Sequence, residues 1–365
     1  MTERPTVERS LLEQPIPLEL PQVTGWKEIP IKECREPLVP LGPFSEYRDI
    51  FTDSIYFGER FDSPYIEPPL EGGICTIFVR KSVAEQLRKA QKLLPQTMYL
   101  VVFDAYRTLD VQQSLFDGYF KALRQLCPDW SNDQLLAETQ KYVSLPSKDP
   151  TKPSPHNTGG AVDLMIFYLP EEINQKVKEI NHQLKRRGIT WQEEYLLEME
   201  EIAQIRKNAR LLNFGTPFDW GSKEAALNYY ECQAQIRSLT PQEEEARVNR
   251  RLLYNVMKAA FFEAYPDEYW HFNSHKSQMG AKTARSKVAQ YGAATLSEKN
   301  LEHERMRRDH RLGTIRILQG WVRPVGKVYD PLKEHFKVAK EAALETGDPR
   351  ITSLPKAAVI SPPTS

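Results

Sequence analysis

Five residues have types and spacings that could do chemistry together. His156 and Asp163 stand seven positions apart in Ser154-Pro155-His156-Asn157-Thr158-Gly159-Gly160-Ala161-Val162-Asp163-Leu164. Glu268 and His271 share the dense group Tyr265-Pro266-Asp267-Glu268-Tyr269-Trp270-His271-Phe272-Asn273, and Arg107 closes Asp104-Ala105-Tyr106-Arg107. Two neutral imidazoles and one carboxylate (His156, His271, Asp163) make a three-ligand zinc set, which leaves the fourth position open, as a catalytic site requires. One zinc ion per chain would bring the pKa of its water toward ~7. Glu268 then suits a general base that takes the water proton and passes it to a leaving amine. Arg107 offers a permanent positive charge to a developing oxyanion. Each piece alone has a plainer reading: Asp163 as a strand-end aspartate bonded to a turn, Asp104 and Arg107 as an ion pair. Together they supply ligands, base and oxyanion stabiliser.

Recognisable elements must position these residues. Lys, Ser and Pro from Ser147 to Pro155 read as loop, and Ala161 to Phe167 as a buried strand. An aspartate inside such a strand is costly to desolvate, and a bound cation removes much of that cost. Ile74–Val79 and the continuous apolar run Met98–Phe103 read as strands, the second covered on both faces. Helical spacing marks Ser82–Leu94 and Leu109–Cys127, and a capping box at Ser131 opens a helix toward Val143. Thr240-Pro241-Gln242-Glu243 starts the longest helix, with Val248, Leu252, Val256, Ala259 and Ala260 as its apolar face. Strict alternation puts Glu268 and Trp270 on one strand face, Tyr269 and His271 on the other, unless a bulge intervenes. His275 would reach the same metal only on a helix. With His303, His310 and His335 it reads as a surface group.

The rest of the sequence bounds the partners. The 365 residues carry a formal net charge of +0 with 40% hydrophobic content, so no overall field argues for nucleic acid or a membrane surface. The N-terminus lacks the apolar core of a signal peptide, and no run is long and apolar enough to span a bilayer. Cys34, Cys75, Cys127 and Cys232 are scattered without a CxxC pair, which argues against a disulfide framework and for a reduced, cytoplasmic compartment. Nothing indicates an oligomer.

The pieces Ser-x-His-x6-Asp, Asp-Ala-Tyr-Arg and Glu-x-Trp-His, in this order over roughly 53–273, resemble the zinc D-alanyl-D-alanine dipeptidases of the VanX type, within the wider group of D-Ala-D-Ala carboxypeptidases and related cell-wall peptidases. The resemblance implies His156, Asp163 and His271 as zinc ligands, Glu268 as catalytic base and Arg107 as transition-state stabiliser. It implies that Asp219, in Pro217-Phe218-Asp219-Trp220, receives the free amino group of a small D,D-dipeptide. On the residues alone, Asp219 reads equally as a turn or cap. Ser154 matches a serine that helps hold the dipeptide, and Tyr56 a pocket tyrosine with different spacing after it.

The expected fold is α+β: a small, mainly antiparallel sheet with flanking helices and zinc in a central cleft. An irregular, proline-rich arm covers 1–45 and the zinc peptidase domain 46–275. Within that domain, 169–213 is a charged insertion of two peripheral helices, and a basic, helical extension and tail cover 276–365. The expected reaction is hydrolysis of D-alanyl-D-alanine to two D-alanines. The alternatives are a D,D-carboxypeptidase on peptidoglycan stem peptides, against which the missing export signal speaks, and a non-catalytic zinc-stabilised binding module, which would need neither Glu268 nor Arg107.

Overall fold

The computed structural model describes residues 13–319 except 22, 58–69, 144 and 220–221, with the side chains of 141–142 and 310–319 also left out. Gly58–Phe61, Trp220, His335, the side chain of His310 and the ends of the arm and tail therefore lie outside the described residues.

In chain order the strands are β1 (Leu38–Pro40), β2 (Phe51–Thr52), β3 (Phe78–Arg80), β4 (Met98–Asp104), β5 (Ala161–Tyr168), β6 (Arg210–Leu211), β7 (Phe262–Tyr265) and β8 (Glu268–Ser274). The α-helices are α1 (Lys81–Leu93), α2 (Leu109–Leu126), α3 (Asn132–Tyr142), α4 (Glu171–Leu184), α5 (Trp191–Asn208), α6 (Tyr229–Ile236), α7 (Pro241–Ala259), α8 (Gln278–Thr283) and α9 (Glu298–Gln319). The main sheet runs β2-β4-β5-β8-β7, with β6 paired to β5 at its far end. Its pairings are antiparallel except β2 with β4, so the sheet is mixed. A separate antiparallel pair joins β1 to β3.

The continuous apolar runs become the middle of this sheet, since only a strand covered on both faces can carry them. β5 is central and buried until Tyr168. Its core includes Val83, Leu87 and Ala90 of α1, and Leu253, Val256 and Met257 of α7. The expected strand at 74–79 is shorter and later, because Cys75 and Thr76 give their N–H groups to the Glu304 carboxylate rather than to a neighbouring strand. The caps at Ser131 and Thr240 form as their sequences require, each a complete capping box.

Three details differ from the expectations above. The inner face of α7 is rotated: Val248 is exposed, while Asn249 and Arg250 turn inward and find main-chain carbonyl acceptors there. Segment 169–213 does form two helices, yet Glu198 and Glu201 of α5 are buried rather than solvated, with Arg48 paired to Glu198. His303 is half-buried, edge-on to Phe78 (centroids 6.3 Å apart), rather than a surface group. The four cysteines are free.

Candidate metal centre

β5 brings the site together because it lies between both contributing neighbours. Asp163 is registered opposite Asp104 of β4 on one side and His271 of β8 on the other. His156 stands on a single helical turn, His156–Thr158, that leads into β5. The turn ends at Gly159 (φ 68°), a left-handed position where a Cβ would also stand 2.4 Å from Leu38 Cδ2. That reversal aims His156 back over Asp163.

Three ligand atoms from His156, Asp163 and His271, all buried, lie within 4.8 Å of one another. His156 Nε2 is 3.2 Å from His271 Nδ1 and 3.4 Å from Asp163 Oδ2, and His271 Nδ1 is 2.8 Å from Asp163 Oδ1. Zinc–nitrogen bonds of about 2.0–2.1 Å in a tetrahedral site put ligand atoms roughly 3.3 Å apart, so the spacing fits such an ion. The proton arrangement fits too. His156 Nδ1 donates to the Ala105 carbonyl (2.8 Å), which leaves the Nε2 lone pair facing the other two groups. Burial lowers the His156 pKa to about 3 and keeps the ring neutral, as a ligand must be. Burial also works against charge on His271, but Asp163 beside it prevails and raises that pKa. A cation between these atoms would meet the same lone pairs and the Asp163 charge.

Glu268 and Arg107 flank this cluster. Glu268 Oε2 is 3.9 Å from His271 Nδ1. Strict alternation would have put the two on opposite faces; the register shift between Ala264 and Tyr265 reseats Glu268 opposite Tyr265 and undoes that expectation. Burial raises the Glu268 pKa to about 7, with Asp163 adding to it against His271. Arg107 is fixed by Asp104 (Nη2–Oδ2 2.5 Å), by Gln112 Oε1 (2.8 Å) and by the Tyr56 hydroxyl (2.8 Å). Burial opposes its charge, and the Asp104 carboxylate more than offsets this, so the guanidinium stays protonated. The same Asp104 approaches His156 Nδ1 at 3.2 Å, so one carboxylate spans the arginine and a candidate ligand histidine.

Of the remaining expected residues, Asp219 lies within electrostatic reach of this centre, while Ser154 and His275 make their contacts elsewhere. Asp219 adopts a left-handed backbone (φ 62°), a conformation that aspartate tolerates better than most side chains. Burial, then the Glu268 and Asp163 carboxylates, raise its pKa to about 8. Phe218 seats it, packing on Phe103 beside Asp104 and on Trp270 beside His271. The Ser154 hydroxyl is committed within its own loop, donating to Asn157 Oδ1 (3.0 Å). His275 pairs with Glu263 (2.8 Å) beyond the end of β8 rather than joining the cluster.

Two polar residues that the motifs do not single out hold the site. Gln112 fixes Arg107, and the signal for it is an amide on the buried stripe of α2. Asn157 donates to the Arg107 carbonyl (2.7 Å), while Arg107 N–H donates to the His156 carbonyl (3.2 Å), so the ligand loop and the β4 exit are laced together.

A comparison with known proteins now bears on this centre. The chain is similar to a D-alanyl-D-alanine dipeptidase. That protein, from Synechocystis sp., is 26% identical over 265 residues, 67% of this chain and 84% of the relative. No protein-family model matches the chain. Among the described residues, no helix is long and apolar enough to cross a membrane.

Proposed function

We propose that this chain is a zinc-dependent peptidase that hydrolyses the D-alanyl-D-alanine dipeptide to two D-alanines. The name of the Synechocystis relative supports the dipeptidase part. The observation that carries the metal part is the convergence of His156, Asp163 and His271 with a carboxyl raised toward neutrality at their edge. A single Zn2+ would be held by His156, Asp163 and His271, and would supply Lewis acidity that makes water acidic near neutral pH.

The chain's own residues do the rest. Glu268 accepts the proton of the attacking water and returns it to the departing amine, a task for which a pKa near 7 is suited. Arg107 places a fixed positive charge where the scissile carbonyl oxygen becomes negative, and Asp104, Gln112 and Tyr56 hold it with little reorganisation. Asp219 pairs with the substrate's ammonium group. Burial and the Glu268 and Asp163 carboxylates push its carboxyl up to about 8 against the pull of Arg107, and an arriving ammonium relieves that cost. Capping the amine would leave the carboxylate unpaired, which explains a preference for the free dipeptide. Tyr56 and Ser154 shape the pocket from hydroxyls already held by Arg107 and Asn157.

In this reading the catalytic unit is 46–275, with 1–45 and 276–365 added around it. The test is a panel of D,D-, L,D- and L,L-dipeptides, free and N-acylated, assayed for released amino acid with and without zinc. Preference for free D,D-dipeptides supports the proposal. Preference for the acylated forms would favour a carboxypeptidase, and no turnover at all would remove the peptidase reading.

A further inference from the structure

The loop that presents Asp219 is closed underneath by one buried side chain. Arg250, on the inner face of α7, is 1% exposed. Its Nε donates to the Phe214 carbonyl (2.9 Å), Nη1 to that of Ala226 (2.6 Å) and Nη2 to that of Glu224 (2.8 Å). Phe214 lies on the limb entering the loop, while Glu224 and Ala226 lie on the limb leaving it. One guanidinium therefore ties both limbs on either side of Asp219.

The surroundings are built for this contact. The rings of Tyr230 and Tyr269 cover the guanidinium at 4.7 and 4.4 Å from their centroids. Gly215 (φ 87°) lets the entering limb lie flat on Tyr230, since a Cβ there would stand 2.1 Å from the Tyr230 hydroxyl. Tyr269 follows Glu268 in β8 and donates its hydroxyl to the Thr216 carbonyl (2.9 Å), and Phe214 stacks on its ring (5.2 Å). Asn249, next to Arg250, donates to the Asn213 carbonyl (2.8 Å). The loop is thus referenced to the same strand that carries Glu268 and His271. Methionine would fill the volume without the cost of burying a charge. A planar fork that reaches three main-chain acceptors at once is available only from arginine.

We propose that Arg250 is a positioning residue for amine recognition: it staples the Asp219 loop to α7 and β8, and so sets the preference for substrates with a free amino terminus. The inference rests on Asp219 being the amine-binding carboxylate. Removing the staple lets Asp219 drift relative to the Glu268–His271 strand, which weakens binding of an ammonium-bearing ligand and spares one without it.

The experiment uses the full chain loaded with zinc, in four forms: wild type, Arg250→Met, Arg250→Lys and Asp219→Asn. KM and kcat are measured for D-alanyl-D-alanine, and inhibition constants for propionyl-D-alanine, which lacks the amine. Arg250→Met is expected to raise KM for the dipeptide roughly ten- to a hundredfold. The propionyl inhibition constant and the zinc content should stay near wild type. Arg250→Lys, which keeps the charge and part of the donor set, should fall between. If Arg250→Met does not yield folded protein, Arg250→Lys alone decides by the same ratio. Equal weakening of both ligands in the folded variant would overturn the inference. The two failures are separable: if Asp219→Asn also weakens both ligands equally, the amine reading fails. If Asp219→Asn changes the ratio and the Arg250 variants do not, only the staple fails.

Discussion

Segment 169–213 and segment 276–319, which the sequence sets apart as an insertion and an extension, are attached in different ways. The first is tied to the far end of β5 by the β6 pairing, to the core by Leu169 and Val177, and to the rest of the chain by buried charged side chains. Arg48 is paired with Glu198 and stands 4.0 Å from Glu194, Asn181 bonds Glu201, and Arg206 meets Asp53 at 2.9 Å. The second is bonded into the site through main-chain groups. Ala294 N–H donates to the Asn157 carbonyl (2.9 Å), and Tyr106 donates its hydroxyl to the Ala294 carbonyl (3.0 Å). Glu304 of α9 takes the N–H groups of Cys75 and Thr76, each at 2.8 Å. Arg80 links the ligand loop to the extension, donating to the Thr158 carbonyl (2.8 Å) and to that of Gly292 (3.0 Å). The difference teaches that the two segments differ in where they attach: one is fixed at the far end of β5 and by buried charges, the other is part of the wall beside Arg107 and His156.

The largest effect that would sharpen this contrast is truncation. Ending the chain at Arg285 removes the Asn157, Cys75, Thr76 and Arg80 contacts together. Turnover should fall by at least about a hundredfold with loss of bound zinc. Metal analysis of the purified fragment checks this, and a fragment that kept both zinc and turnover would break the contrast.

Next in size is Arg48→Met, which strands Glu198 as a buried charge and should cost about 3–5 kcal/mol of stability by denaturant melt. Its kcat at 25 °C should match wild type, because the cluster does not touch the metal ligands. The pair Arg48→Met with Glu198→Leu should recover most of the stability, since packed apolar groups commonly replace a buried ion pair without loss. A drop in kcat with stability restored would show that segment 169–213 reaches the site after all.

Glu304→Gln is expected to be smaller in stability and larger in function. It leaves one buried N–H poorly paired, about 1–3 kcal/mol. The strap at 73–76 backs the Tyr56 turn, with Gly73 against the Tyr56 carbonyl and Ser54 bonded to that of Ile74 (2.8 Å). Steady-state kinetics should therefore show a lower kcat at unchanged zinc content.

The smallest effect is a pH dependence confined to segment 169–213. Burial raises the Glu201 pKa to about 7 from an ordinary 4.5, against the pull of Arg48. The folded state then binds more protons than the unfolded state between these values, so its contribution is full below pH 4.5 and is lost as pH rises through about 7. Glu201→Gln should flatten that part of the stability–pH curve, and an unchanged slope would place the proton elsewhere.

How much of this was legible in the sequence follows from how local each signal is. The candidate cluster is legible because a loop histidine and a strand aspartate sit on one stretch, and a hydrophobic strand seldom keeps an isolated carboxylate. The fold class follows from helical spacing and apolar runs. Glu268 is legible as a residue but not in its direction, since the shift at Tyr265 depends on pairing between strands. The buried ends of Glu198 and Glu201 are hidden because charge density reads as solvated surface, and their partner Arg48 lies far off in the chain. Arg250 is the instructive miss. It falls on one stripe with Ala246, Leu253 and Met257, and an arginine within an apolar helical stripe is a signal that the spacing alone carries.

The account stands on a metal-dependent proton transfer at Glu268, and one paired assay tests it most directly. Wild type and Glu268→Gln are stripped of metal, titrated with zinc, and assayed on D-alanyl-D-alanine at each step. Both proteins should bind one equivalent, with wild-type turnover rising in step with occupancy, while Glu268→Gln loses on the order of a hundredfold or more in kcat. Turnover that ignored zinc, or a glutamine variant as fast as wild type, would contradict the account.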